Sequence, residues 1–131
     1  MKRLAGVFLA IIILISMCGC AKTKVMQKNN ATLTFISETK NIQVELETDE
    51  AEKIAEILNG NIYEPNFAGE PSCSFDKNVS ISIDNQVFAI AQDTCNYLQD
   101  LQNLKYFSIS QEDMKYIHSI FEKHGGCFPC V

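Results

Sequence analysis

Cysteines are the residues whose type and spacing point most directly to chemistry in this 131-residue chain. Cys127 and Cys130 enclose two residues, a spacing at which thiols can exchange between dithiol and disulfide. Cys73 and Cys95 lie upstream, so these four cysteines allow three pairings. Chain entropy favours long-range pairs, because the Cys73–Cys95 loop would stabilise by roughly 3 kcal/mol and the Cys127–Cys130 loop by about 2 kcal/mol. The cysteines predict a disulfide framework whose pairing stays open.

Other chemistries fit the same residues less well. Redox motifs of the Cys127–Cys130 type normally open a helix after a strand, whereas this one follows a helical pattern. A four-thiolate zinc site usually has two such cysteine pairs. His118 and His124 lie on the last predicted helix, where we expect surface or boundary positions. We therefore expect no catalytic residue, no metal and no cofactor, with a redox role of Cys127 and Cys130 as the alternative.

A secretory leader precedes another cysteine, Cys20. Lys2 and Arg3 are followed by an uncharged apolar run over residues 4–15. A membrane-spanning helix needs about 20 apolar residues, so the run is too short to span. Gly19, a small residue, stands directly before Cys20. This ending resembles the lipobox of a type II signal peptide, in which the cysteine is acylated, with palmitate or similar chains, and becomes the first mature residue.

The resemblance implies a chain similar to the small lipoproteins of bacteria. We expect a signal peptide at 1–19, lipidated Cys20 with a polar tether at 20–31, and one domain at 32–131. The expected location is the extracytoplasmic face of the cell membrane, where the acyl chains on Cys20 would insert into the bilayer and anchor the protein. A protein or small ligand of unknown identity would be the partner.

Charge excludes one class of partner. Without residues 1–19 the chain has nine lysines, no arginine and sixteen carboxylates, a formal charge of −7. Nucleic-acid binding rests on cationic neutralisation of phosphates, so an acidic chain of this kind is not expected to bind nucleic acid.

The first half of the domain has the pattern ββα. Period-two alternation predicts strands around 32–35 and 42–47, with a turn at 39–41. A helical stripe follows, with Thr48 or Asp49 as the N-cap and Gly60 as the end.

A long loop is expected at Asn61–Ser74, with at most a short edge strand near Ile62. Tyr63 and Phe67 are its aromatic residues. They are candidates for partner contact, and the alternative is that both fold back over the core.

The second half predicts a hairpin that turns at Asp84 and Asn85. Asp93 would cap a short helical turn containing Leu98 and Leu101. A strand over 104–109 could face the core with Phe107 and Ile109 or with Leu104 and Tyr106. The last helix would begin at Ser110, bury Met114, Ile117, Ile120 and Phe121, and stop at Gly125 and Gly126.

These elements predict an α+β domain with an antiparallel sheet of about five strands and two helices packed on one face. No catalytic motif stands out among them. We expect a membrane-anchored, non-enzymatic binding or interaction module.

Overall fold

The computed structural model describes residues 30–61 and 71–128. Six strands and two helices occur in these ranges. They are β1 (Ala31–Ser37), β2 (Lys40–Glu45), α1 (Thr48–Gly60), β3 (Phe75–Ile83), β4 (Gln86–Ala91), β5 (Tyr97–Asp100), β6 (Lys105–Ser108) and α2 (Gln111–Lys123). Neither of these helices is long and apolar enough to cross a bilayer. Cys20 and the leader lie outside the described residues, as do Tyr63, Phe67 and Cys130.

All six strands form one antiparallel sheet in the order β2-β1-β3-β4-β5-β6. The α+β class is confirmed, and the sheet has one strand more than the five expected. The additional strand is β5, where we had predicted a helical turn capped by Asp93. That prediction was wrong, because Leu98 is fully buried between neighbours on β4 and β6. Pairing on both sides outweighs the local helical signal.

Two hairpins turn through backbone conformations that favour glycine, asparagine and aspartate. Asp84 and Asn85 have φ angles of 49° and 64° and join β3 to β4, as predicted. Glu38 and Thr39 have φ angles of 47° and 73° and join β1 to β2. The first turn was predicted one residue later, at 39–41. Ser37 pairs with Lys40, which leaves the two residues between them as the turn.

One face of the sheet shares a hydrophobic core with both helices. Phe107 and Ile109 are buried and Leu104 is 72% exposed. Of the two predicted alternatives, β6 therefore faces the core with Phe107. Phe35 on β1 meets Phe121 on α2 edge to face, with ring centroids 6.2 Å apart. The core begins with Ala31, which is fully buried. Other core residues are Leu33, Ile54, Ile57, Leu58, Ile81, Ile83, Phe88, Ile90, Met114, Ile117 and Ile120.

The opposite face carries small and polar side chains. Thr34, Ser80, Ala89 and Gln99 lie side by side in the strand register. Gln99 Nε2 donates to the Tyr106 hydroxyl at 3.0 Å. This face therefore has a different chemical character from the aliphatic core on the other side.

The helix ends show why each helix begins and stops where it does. α2 begins as predicted, with the Asp113 amide donating to the Ser110 hydroxyl at 3.0 Å. It ends with the Gly126 amide bonded to the Phe121 carbonyl at 2.7 Å and Gly125 at a φ of 96°, a conformation that favours glycine. α1 is capped by Glu47, so the predicted N-cap at Thr48 or Asp49 was wrong.

Candidate functional site

The site begins with a disulfide between Cys73 and Cys95, whose Cα atoms are 5.9 Å apart. Cys73 lies just before β3 and Cys95 just before β5, the two strands that flank β4. The bond therefore joins two strand starts at the same end of the sheet. This pairing is one of those that the sequence left open, and it belongs to the long-range class that chain entropy favours.

Asp93 holds the backbone on both sides of this bond. Its Oδ2 accepts from the Ser74 amide and its Oδ1 from the Cys95 amide, both at 2.9 Å. The Gln92 amide donates to the Ser74 carbonyl at 2.9 Å. Asp93, which was expected to cap a helical turn, instead fixes the two cysteine-bearing segments against each other.

Cys73, Asp93 and Cys95 bring three potential metal-ligating atoms within 4.8 Å of one another. A cysteine binds a metal as its thiolate. In the structure both sulfur atoms are bonded to each other, so neither is available as a thiolate. The cluster serves as a covalent link, and Asp93 already uses both oxygens.

The second part of the site is the segment after α2. The Phe128 ring stacks on the His118 imidazole, with centroids 4.1 Å apart and planes 9° from parallel. It also meets Phe121 edge to face at 5.2 Å. These contacts hold the segment that follows α2 against that helix. Sequence reasoning did not single out Phe128, although the spacing of His118 and Phe121, three residues apart on a helix, offered a signal.

His118 is half-buried, and this burial lowers its pKa from 6.5. The Glu122 carboxylate and a backbone hydrogen bond with Ala91 act in the opposite direction and do not reverse the shift. Its Nε2 is buried and has no hydrogen-bond partner among the described residues. The neutral imidazole therefore acts here as a flat packing surface, and its half-buried position agrees with the boundary location expected from the sequence.

Phe128 separates two open clefts of about 200 Å³ each. Asp93, Cys95, Lys115 and His118 contribute to one of them. Phe35, Ile36, Asp76 and Cys127 contribute to the other. Pockets that enclose drug-sized ligands have volumes of about 300–1,000 Å³, so each cleft fits a side chain or a few atoms of a partner.

Cys127 is exposed and lies beyond the C-terminal end of α2. Redox thiols are usually activated at a helix N-terminus, where the dipole stabilises the thiolate. The dipole at a helix C-terminus has the opposite sign. Cys127 therefore lies at the opposite end of a helix from the position that redox motifs of this spacing normally take.

The helices are tied together near this end of α2 by a buried carboxylate. Glu50 on α1 accepts from Lys123 Nζ at 2.7 Å, and its other oxygen lies 3.3 Å from His124 Nε2. Burial would raise the pKa of Glu50, but Lys123, His124 and the Glu47 amide together hold it below 4.5. The ionised carboxylate therefore has a structural role between the two helices.

No family model, curated protein or solved structure matches this chain.

Proposed function

We propose that this protein is a lipoprotein, held on the extracytoplasmic face of a membrane by acyl chains on Cys20, with a non-enzymatic binding domain. The observation that carries the proposal is the leader, a basic start and an apolar run that ends at Gly19 and Cys20. Two acyl chains give stable anchoring, because each buried methylene contributes about 0.8 kcal/mol. A tether of roughly ten residues, at most about 3.6 Å each, keeps the domain near the bilayer.

Three buried or hydrogen-bonded carboxylates have structural partners, and this supports a binding function over a catalytic one. Glu50 links the helices and Asp93 links the segments that carry the disulfide. Asp100 is fully buried and accepts from the Gln102 and Asn103 amides at 2.9 and 3.1 Å, which holds the turn before β6. Each of these groups stabilises the fold, and the small clefts beside Phe128 suit contacts with a partner surface.

Replacing the acylated residue tests the anchor. In Cys20→Ser we expect the full-length chain to lose the acyl mass and its leader cleavage, because the thiol that carries the lipid is gone. The matched control is Cys18→Ser, which removes a thiol two residues away and should leave the acylated mature chain on the membrane. Intact-mass measurement of chains extracted from membranes distinguishes the two. Equal masses and no acyl group in the wild type would contradict the proposal.

A further inference from the structure

The outer edge of β2 presents a row of backbone groups that pair with no other strand in residues 30–61 and 71–128. Among the described strands β2 pairs with β1 alone. Their two-residue turn makes Ser37 and Lys40 a hydrogen-bonded pair, and the Leu46 amide donates to the Ala31 carbonyl at 2.8 Å at the other end. In an antiparallel ladder such pairs alternate with pairs that point away. The N–H and C=O groups of Asn41, Gln43 and Glu45 therefore point outward.

This edge lacks the usual protection against strand pairing. Edge strands are commonly shielded by bulges, prolines or a central charge. β2 keeps a continuous register with β1 over six residue pairs. Its two charges, Lys40 and Glu45, lie at its ends, and residues 41–44 between them are uncharged. The edge is long enough and regular enough to accept another strand.

The inner side of the edge is apolar. Ile42 and Val44 are partly buried and pack against the core at the border of the sheet. An added strand with apolar residues at the matching positions would continue this core outward, since cross-strand pairs of β-branched side chains stabilise a sheet.

We propose that β2 pairs with β2 of a second copy of this chain, antiparallel and centred on Gln43. This register places Gln43 opposite its counterpart and Asn41 opposite Glu45, so all the outward groups of both strands meet. Ile42 then faces Val44 on the inner side. No charge lies opposite a like charge in this arrangement, because each Glu45 faces an asparagine.

The two-fold axis is perpendicular to the sheet, because paired residues of an antiparallel ladder share a face. Both pairs of helices consequently lie on the same side of a continuous twelve-stranded sheet. This pairing does not require the lipid anchor, so its test is independent of the proposal for Cys20.

Thiol crosslinking of the full-length chain tests the register. Gln43→Cys puts the two cysteines about 5.5 Å apart between Cα atoms, whereas Asn41→Cys places them roughly 14 Å apart along the strand. With a short thiol–thiol crosslinker, we expect Gln43→Cys to give at least about five times more dimer than Asn41→Cys, because reach falls off with this separation. The native cysteines are the same in both variants and the wild type gives their background.

Equal dimer yields from the two variants, or yields no higher than wild type, would overturn the proposal. A crosslinked product of another mass would assign the edge to a different partner and would also overturn it. Gln43→Pro gives an independent measurement, because it removes an N–H that points away from β1. The molar mass in light scattering should fall from dimer to monomer for this variant and stay dimeric for Gln43→Thr. A monomeric wild type would contradict self-pairing.

Discussion

Glu50 illustrates how a single residue can hold two elements together. Its side chain is 7% exposed, and it contacts Lys123 in the last turn of the opposite helix and His124 directly after it. A buried carboxylate is costly unless it has partners of this kind. Sequence periodicity marked its neighbours Ala51 and Ile54 as core positions, but it gave no sign that Glu50 would be buried with them. The partners come from 73 and 74 residues away, beyond the reach of a local pattern.

Replacing Glu50 should make the free energy of unfolding less dependent on pH. The pKa of Glu50 is lowered in the folded state, so its contribution is complete above about pH 4.5 and is lost as pH falls through the folded value. At pH 7 we expect Glu50→Gln to lower the free energy of unfolding by about 1 kcal/mol, since a hydrogen bond to a charged group is lost. Urea unfolding at pH 7 and pH 3 measures the difference, which should shrink at pH 3.

The matched control is Lys53→Gln, which removes an exposed ion pair with Glu56 at 2.9 Å. Exposed pairs contribute little, so we expect a change of at most about 0.5 kcal/mol at either pH. If Glu50→Gln were equally destabilising at pH 7 and pH 3, the ionised form of Glu50 would not be the source of its stabilisation.

At the scale of elements, the sequence predicted those hairpins and helices whose periodicity is local. The β3–β4 hairpin, the start of α2 and its four buried residues are confirmed. β5 was missed because its four residues become a strand through neighbours on both sides. The N-cap of α1 was misplaced because Glu47, which the alternating pattern assigned to the strand, exchanges capping hydrogen bonds with Glu50, so the helix begins at Thr48.

The turn between β1 and β2 contains a residue type that does not favour the backbone conformation of the turn. Thr39 is β-branched and has a φ of 73°, a region that costs most residues about 1–2 kcal/mol. We expect Thr39→Gly to raise the free energy of unfolding by about 0.5–1 kcal/mol, because the relief of strain exceeds the entropy that glycine loses. Thermal unfolding measures this change.

Asn85→Gly is the control in the other hairpin, since asparagine tolerates positive φ better than threonine. Its effect should lie within about 0.5 kcal/mol of zero. A larger gain for Asn85→Gly than for Thr39→Gly would show that side-chain strain does not limit the first turn.

At the scale of the whole molecule, the disulfide connects parts of the chain that are 22 residues apart in sequence. The number of cysteines predicted a disulfide framework, but the partner of each cysteine depends on the order of strands in the sheet. Asp93 and Phe128 were missed as organisers of the site for the same reason. Their contacts form only when the loops before β3 and β5 and the segment after α2 meet at one end of the sheet.

Removing this bond should destabilise the whole domain. We expect the double variant Cys73→Ser, Cys95→Ser to lose about 3 kcal/mol, because the unfolded chain regains the entropy of an open loop. Urea unfolding with and without a reductant measures it. With the reductant, wild type and variant should unfold at similar urea concentrations. A full difference that persists under reduction would assign the effect to the serine substitutions instead of the bond.

The position of β1 in the sheet has a mechanical consequence under the proposed anchoring through Cys20. Ala31 is the first residue of a strand that is hydrogen-bonded to β2 on one side and to β3 on the other. A pulling force transmitted from the membrane through the preceding residues would therefore enter the sheet at an interior strand. Such a force is shared between the hydrogen bonds of two strand pairs, whereas a force on an edge strand would act on the hydrogen bonds of one pair alone.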